Sequence, residues 1–366
     1  MKTDFDYLII GMGAIGLAIS YYLSKSNFKI LNIDKEKTYG LGNSSRNTEN
    51  IHSGIYYKNN SLKHKLCIRG KKLLYDFCEK HNIPYKISGK IFIATSNEEI
   101  SFLESIHNQA KLNQINDIKE LSENEINVLE PSIKAKCGIL SPSSGVFDSY
   151  EYLNRLSALC ENQGVTQSFK TSFIDSVREE KVWISTLNQN ENFKIRTKNV
   201  INASGLYSTQ ISKKVFPSKK IPDNNPVKGT YYIYSDKSPI NHIIYTPFEP
   251  GKISERIDAT PNIHGKLIFG PSVEIAKNIE DFNPDPMLID KFYNNIKKYF
   301  PSIIKSKLIL NQCGIRPKIR FDNDKNPDFQ FSFSENNSWL DLWGLESPAL
   351  TASLAIGEYI DSQFNK

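Results

Sequence analysis

The sequence predicts an α/β protein in which one discontinuous domain of buried parallel strands is interrupted by a β-rich α+β domain. Three observations predict it. Short apolar runs of the kind that form parallel strands covered on both faces recur at 6–10, 28–33, 200–205 and 339–343. The first of them ends in a glycine-rich turn that opens a helical stretch, so the chain starts with a strand, a tight turn and a helix. The stretches between the runs alternate like antiparallel strands, and 366 residues at roughly 150 per domain allow two domains. The ranges that follow are 1–86, 140–220 and 321–366 for the parallel-sheet domain and 87–139 with 221–320 for the other.

Taken in order, 6–10 is a strand, 17–24 a helix and 28–33 the second parallel strand, closed by Asp34. Apolar positions Leu62, Leu66, Ile68, Leu73, Leu74 and Phe77 recur at helical spacing and predict a helix over 61–81. Residues 90–94 read as a strand, and 98–112 as a helix with Asn97 as its cap. A helix over 149–163 precedes a meander of short strands at 172–177, 182–187 and 193–196, followed by the buried strand that starts at Val200. Strands dominate 226–319, for example 230–234, 242–246 and 266–269, with one helix over 287–299. The chain closes with a strand at 339–343 and a helix over 348–360, for which Ser347 is the expected cap and Pro348 the first-turn residue.

Composition excludes several classes. Charged residues at 23% and apolar residues at 39% are ordinary for a globular chain and argue against disorder. The excess of six basic residues is spread along the sequence, and its tightest clusters, Arg69 to Lys72, Lys213 with Lys214, and Lys219 with Lys220, lack interleaved aromatics, which argues against nucleic acid. Five cysteines without a CxxC pair give neither a disulfide framework nor a zinc site and fit a reducing cytoplasm. Asp4 and Asp6 stand where a signal peptide needs positive charge, and no run of 18 uninterrupted apolar residues offers a membrane span. Peripheral membrane contact stays open.

Gly11-Met12-Gly13-Ala14-Ile15-Gly16 gains its meaning from context, because it follows a buried strand, opens a helix and precedes an acid, Asp34, 18 residues beyond its last glycine. Gly11 permits the sharp turn, Gly13 lets a pyrophosphate approach the backbone, and Gly16 permits close helix packing. The amides of Ala14, Ile15 and Gly16 open the helix, where unpaired N–H groups and a positive partial charge suit phosphates. Asp34 would accept from a ribose hydroxyl. This is a Rossmann-like dinucleotide site, and a single such fingerprint implies one dinucleotide.

The stretch from Gly42 to Tyr57, with Ser44-Ser45-Arg46-Asn47, His52-Ser53-Gly54 and Ile55-Tyr56-Tyr57, resembles the SSRN-x3-H-x-G-IYY segment of L-2-hydroxyglutarate dehydrogenases and oxidases, FAD-dependent members of the D-amino-acid-oxidase superfamily. The resemblance continues through Leu62 to Tyr75, Gly89-Lys90, Glu130-Pro131, Gly145 to Asp148, Ala203 to Ser208 and Gly344 to Ser353. It implies FAD as cofactor, contacted by Ser44, Ser45, Arg46 and Asn47 along the pyrophosphate and ribityl chain, by Lys35, Ile174, Ala203, Ser204 and Gly205, and by Gly344, Leu345, Glu346, Ser347 and Pro348 at the flavin end. There the late helix would aim its positive end at the ring. His52 is similar to a histidine near the flavin ring, able to hydrogen-bond it or take a substrate proton. Cys313-Gly314-Ile315-Arg316-Pro317 resembles the segment whose arginine clamps a substrate carboxylate, and a guanidinium has the planar fork for that task.

The activity this implies is oxidation of a small 2-hydroxy acid to the 2-oxo acid, with a hydride passing to flavin N5, Arg316 holding the carboxylate, and His52 or Asp258 receiving the hydroxyl proton. Tyr57 and Tyr245 are further pocket candidates. Asp258 stands where the 2-hydroxyglutarate enzymes usually carry histidine, and Lys228 where they commonly carry arginine. An acid facing the pocket would repel a second carboxylate and favour an amine, so the alternative is amine or amino-acid oxidation. A nucleotide-binding sensor that uses its cofactor only structurally is a reading from another class. The electron acceptor, whether oxygen, a quinone or another carrier, the mode of FAD attachment and the oligomeric state are not legible.

Overall fold

In the computed structural model, which describes residues 2–247, 257–321, 324 and 327–364, the apolar run at the start is the strand Phe5–Ile10, its last four residues buried. It lies in a sheet beside Ile30–Ile33 on one edge and Glu191–Asn202 on the other, parallel to both. Thr166–Ser168 extends the parallel set beyond Ile30–Ile33, and Trp339–Trp343 joins beyond Glu191–Asn202. The strand Glu191–Asn202 serves two arrangements. Its first half pairs antiparallel with Val182–Gln189 in the meander, and from Thr197 onward it runs parallel to Phe5–Ile10. The expected break between a meander strand and a separate strand at Val200 is therefore not there: both are one 12-residue strand. Leu8, Ile10, Leu31, Ile33, Trp183, Leu187, Ile195, Val200 and Trp339 form the core on one face.

Helices Ala14–Leu23, Ser149–Asn162 and Ala349–Phe364 pack together. Gly357 abuts the Ala18 carbonyl so closely that a Cβ would lie 2.6 Å from its oxygen, and the buried Tyr152 hydroxyl bonds Ser353 Oγ at 2.7 Å. These elements make up one of two compact units, Met1–Ser45, Ser149–Pro226 and Arg316–Lys366. The other comprises Arg46–Asp148 and Val227–Ile315. The division differs from the expected ranges chiefly in residues 46–86, which cluster with the second unit because Asn50–Ile51 and Tyr85–Lys86 both pair with Gly145–Phe147.

The second unit is built on a sheet in which Ile243–Tyr245 lies parallel to Lys90–Ala94, joining its two chain segments, with antiparallel pairs outward on each side. Helices Ile100–Leu112 and Ile289–Tyr299 supply apolar residues such as Leu103, Ile106, Phe292 and Ile296 to its two cores. The long helix Leu62–Lys80 starts where Ser61 Oγ accepts the His64 amide at 3.1 Å. Two cap assignments need correction. Asn97 opens a 3₁₀ turn, Asn97–Glu99, ahead of the helix, and its side chain instead accepts from Lys136 Nζ at 2.8 Å. The last helix begins at Ala349, and Pro348 rather than Ser347 takes the cap position, its carbonyl accepting the Ala352 amide at 3.0 Å.

Candidate active site

In the first unit the glycine turn is fixed from below. Gly11, at φ +105°, donates to the Ile33 carbonyl at 2.8 Å, and a Cβ there would lie 2.7 Å from the Ala203 oxygen. A Cβ on Gly16 would fall 1.9 Å from the Gly11 oxygen, so the helix can pack against the turn only because that position is bare. Gly13 sits beside Ser44, whose Oγ accepts the Ala14 amide at 2.9 Å. Asn32, fully buried on the second strand, completes the anchoring: its amide donates to the Ile9 and Gly11 carbonyls at 3.0 Å, and its oxygen accepts from Ser20. Sequence reasoning passed over Asn32 because it lies inside an apolar run. An amide amid buried aliphatic residues was the signal.

Asp34 accepts the Met12 amide at 2.7 Å and the Glu36 amide at 2.9 Å. Burial nevertheless raises its pKa, outweighing those two bonds. A half-buried carboxylate that is short of stabilisation is a good acceptor for hydroxyl donors. Lys35 reaches the Tyr207 hydroxyl at 2.7 Å. Ala203 donates to the Ile10 carbonyl at 3.0 Å, Ser204 Oγ bonds Asn202 Oδ1 at 2.6 Å, and Gly205 turns at φ +59°. Behind them the buried Asp341 carboxylate accepts from Asn202, Ser212 and Trp339. Ile174 is the extra residue of a bulge between Phe173 and Asp175, a device that re-aims a side chain.

Near the end of the chain Gly344 turns at φ +71° against Ile319, Leu345 follows, Glu346 lies 3.4 Å from Lys318, and Ser347 and Pro348 lead into the last helix. Arg316 ends the strand Leu308–Arg316, half-buried. A bare glycine cradle, helix-start amides with no acceptor inside their own helix, and a carboxylate suited to a ribose make a donor and acceptor set that fits the phosphates and ribose of FAD.

In the second unit Arg46 lies over the Phe282 ring at 4.5 Å, and the Asn47 carbonyl accepts from Gln312 at 2.9 Å. Gly314 lets its strand press against that segment, since a Cβ would sit 2.4 Å from the Arg46 oxygen. His52 follows the short strand Asn50–Ile51. Its Nδ1 lies 3.2 Å from the Tyr56 hydroxyl and 3.4 Å from Lys90 Nζ, and the Tyr57 hydroxyl donates to that of Tyr56 at 3.4 Å. The buried Asn113 amide clamps this segment by donating to the carbonyls of Gly54, Ile55 and Tyr57. Lys90 is 1% exposed, with its ammonium 3.9 Å from the centre of the Tyr245 ring, and the Tyr245 hydroxyl accepts from Asn50 at 3.2 Å. His52 and Tyr245 thus meet at Lys90, with Tyr57 linked to the histidine through the Tyr56 hydroxyl; in the sequence that lysine reads as the start of a strand within a stretch of family resemblance, with no role of its own.

Asp258 is 2% exposed and accepts the Thr246 amide at 3.1 Å. Its charge helps raise the pKa of the buried Tyr299, behind the larger effect of burial. Lys228 pairs with Asp281 at 2.7 Å.

The family described as FAD dependent oxidoreductase, DAO, matches residues 6–363. The chain belongs to that family. As a DAO-family flavoprotein it is an FAD-dependent oxidoreductase with FAD as its cofactor. It is 30% identical to the protein named L-2-hydroxyglutarate dehydrogenase, mitochondrial, of Arabidopsis thaliana, covering 99% of this chain and 84% of that one. It is 26% identical to the glycerol 3-phosphate dehydrogenase of Caloramator mitchellensis, over 97% of this chain and 73% of the other. Its fold matches that of the FAD-bound L-alpha-glycerophosphate oxidase of Mycoplasma pneumoniae with a TM-score of 0.91 at 23% identity, covering 100% and 96% of the two chains. Glycine oxidase of Geobacillus kaustophilus shares the DAO fold at a TM-score of 0.82 and 16% identity, over 99% and 95%. Among the described residues no helix of this DAO-family chain is long and apolar enough to cross a membrane.

Proposed function

We propose that this flavoenzyme oxidises a small 2-hydroxy acid, with L-2-hydroxyglutarate the first candidate, to the corresponding 2-oxo acid. The observation that carries this reading is the similarity, over nearly the whole chain, to proteins named L-2-hydroxyglutarate dehydrogenase. The glycerol 3-phosphate relative supports the chemistry behind it, a secondary alcohol beside an anionic group.

Gly11, Gly13, Ala14, Ile15, Gly16 and Asp34 hold the phosphates and adenosine ribose of FAD, with Lys35, Ile174, Ala203, Ser204 and Gly205 beside them. Ser44 to Asn47 and Gly344 to Pro348 serve the remaining length. The chemistry FAD supplies when bound is acceptance of a hydride from substrate Cα at flavin N5. Arg316 binds the carboxylate and orients the Cα–H bond. His52 takes the hydroxyl proton at Nδ1 through the Tyr56 hydroxyl, with Tyr57 hydrogen-bonded behind it. Asp258 is a weaker base candidate, because one of its oxygens already accepts the Thr246 amide.

The alternative, oxidation of an amine or amino acid, keeps its motive in that same acid. Anaerobic mixing of the yellow protein with L-2-hydroxyglutarate, other 2-hydroxy acids, glycerol 3-phosphate and a panel of amino acids separates the readings. Loss of the yellow flavin absorbance is expected with the hydroxy acid. Bleaching by amino acids alone refutes the proposal.

A further inference from the structure

We infer that Asp341 is a positioning residue that turns the Ser204 hydroxyl proton inward, so that Ser204 meets FAD as an acceptor and its partner there is a sugar hydroxyl, not a phosphate oxygen. The inference rests on the reading that places Ala203, Ser204 and Gly205 beside FAD, and it names the chemical group that Ser204 meets. The loop lies against the glycine turn, where a Cβ on Gly11 would fall 3.2 Å from Ser204 Cα.

An indole N–H only donates. Trp339 Nε1 lies 2.9 Å from Asp341 Oδ1, so that oxygen accepts, as befits a carboxylate paired with the Lys219 ammonium at 3.6 Å. Asn202 Nδ2 stands 2.9 Å from the same Asp341 oxygen and 2.9 Å from the Ser208 carbonyl. Both neighbours are acceptors, so the NH2 group of the carboxamide faces them and its oxygen is turned the other way. There it lies 2.6 Å from Ser204 Oγ. A carboxamide oxygen has no proton to give, and Ser204 is therefore the donor.

Asn202 and Asp341 are both fully buried, so bulk solvent does not compete for this pattern. Asp341 is anchored without help from the loop. Trp339 and Ser212 reach Oδ1, and Lys219 stands beside Oδ2. The orientation is thus imposed from the buried carboxylate outward through Asn202. A hydroxyl has one proton and two lone pairs. With its proton given to Asn202, Ser204 Oγ has only lone pairs left to offer. The ionised oxygens of a pyrophosphate are acceptors and find no donor in it, whereas a ribose or ribityl hydroxyl can donate to it.

The test uses holoenzyme reconstituted with FAD and with analogues that each lack one ribose or ribityl hydroxyl. One analogue should bind the wild-type protein about fivefold more weakly than FAD, the size of one neutral hydrogen bond. Ser204→Ala should weaken FAD by a similar factor and should have no effect on that one analogue, because the two changes remove the same contact. The phosphorus NMR shifts of bound FAD should be the same in wild type and Ser204→Ala. Asp341→Asn keeps a carbonyl oxygen for Trp339 and Asn202 and should retain the coupling. Asp341→Leu removes that oxygen, lets the Asn202 carboxamide turn and should abolish it. The Ser204 readouts decide the question even where Asp341→Leu does not fold. Additive penalties for Ser204→Ala and every analogue, a displaced phosphorus resonance in Ser204→Ala, or undiminished coupling in Asp341→Leu overturns the inference. A Ser204→Ala protein that binds FAD and all analogues as the wild type does refutes the placement beside FAD as well. No readout involves a substrate, so the choice between hydroxy acids and amino acids bears on none of them.

Discussion

Asn32 shows how a single side chain prepares the dinucleotide turn. Its amide satisfies two carbonyls at the point where the first strand gives way to the glycine turn, and its oxygen takes the Ser20 hydroxyl. Removing it leaves buried acceptors without donors, a cost of roughly 1–3 kcal/mol per unsatisfied group. Asn32→Ala should therefore lower stability by a few kcal/mol, on the order of two such groups, and should also release FAD at lower denaturant than is needed to unfold the chain. Parallel urea titrations of flavin fluorescence and far-UV dichroism check this; coincident, unshifted transitions count against it. The glycines and Asp34 were legible because their chemistry depends on spacing along the chain. Asn32, Asn113 and Lys90 were not, because each acquires its meaning from partners that only the folded sheet brings near: Lys90 lies 38 residues from His52, and nothing in a strand-like run of apolar residues marks its first member as a buried cation.

Among the elements, those whose apolar period is unambiguous were legible almost to the residue, as at Leu62–Lys80, Lys90–Ala94 and Trp339–Trp343. Boundaries went astray where a terminus depends on geometry beyond the local pattern. The 3₁₀ turn ahead of Ile100–Leu112 displaced Asn97 from its cap, and the long strand Glu191–Asn202 crosses from one pairing to another without a break in sequence signal. The last helix offers a test in which two effects oppose. Gly357 lies in its interior, where alanine would gain about 1 kcal/mol of helix propensity. The added Cβ would, however, stand 2.6 Å from the Ala18 oxygen and 2.8 Å from its carbon, both backbone atoms that cannot turn aside. Overpacking of this kind costs about 1–3 kcal/mol, so the clash should win and Gly357→Ala should lower the urea midpoint. A variant as stable as the parent would show that the two helices separate freely.

For the whole molecule, the order of segments couples the two units. The first unit closes both points at which the second leaves it. Near Ser45 and Ser149, Tyr39 bonds Asn154 at 3.0 Å, and near Pro226 and Arg316, Asn224 pairs with Ile319 while the Asn225 amide donates to the Lys318 carbonyl at 2.8 Å. Residues 46–148 and 227–315 are thus loops whose ends are already held. Closing a flexible loop on the order of 100 residues costs about 4 kcal/mol in chain entropy. The folded first unit bears that cost for each insertion, and loses the benefit of a compact insertion when the second unit opens. Unfolding should accordingly be concerted. Three cysteines report on it: Cys160 in the first unit, and Cys67 and Cys78 in the second, are all buried, and burial pushes each thiol up to about 12. Each is neutral and shielded at pH 8, and raising the pH within the native range should not expose a thiolate. Pulsed alkylation across a urea series, read by mass spectrometry, should label all three at one shared midpoint and hardly at all below it. Labelling of Cys67 and Cys78 at lower urea than Cys160 would mean that the insertions melt on their own, and that the closed ends of the first unit give them no support.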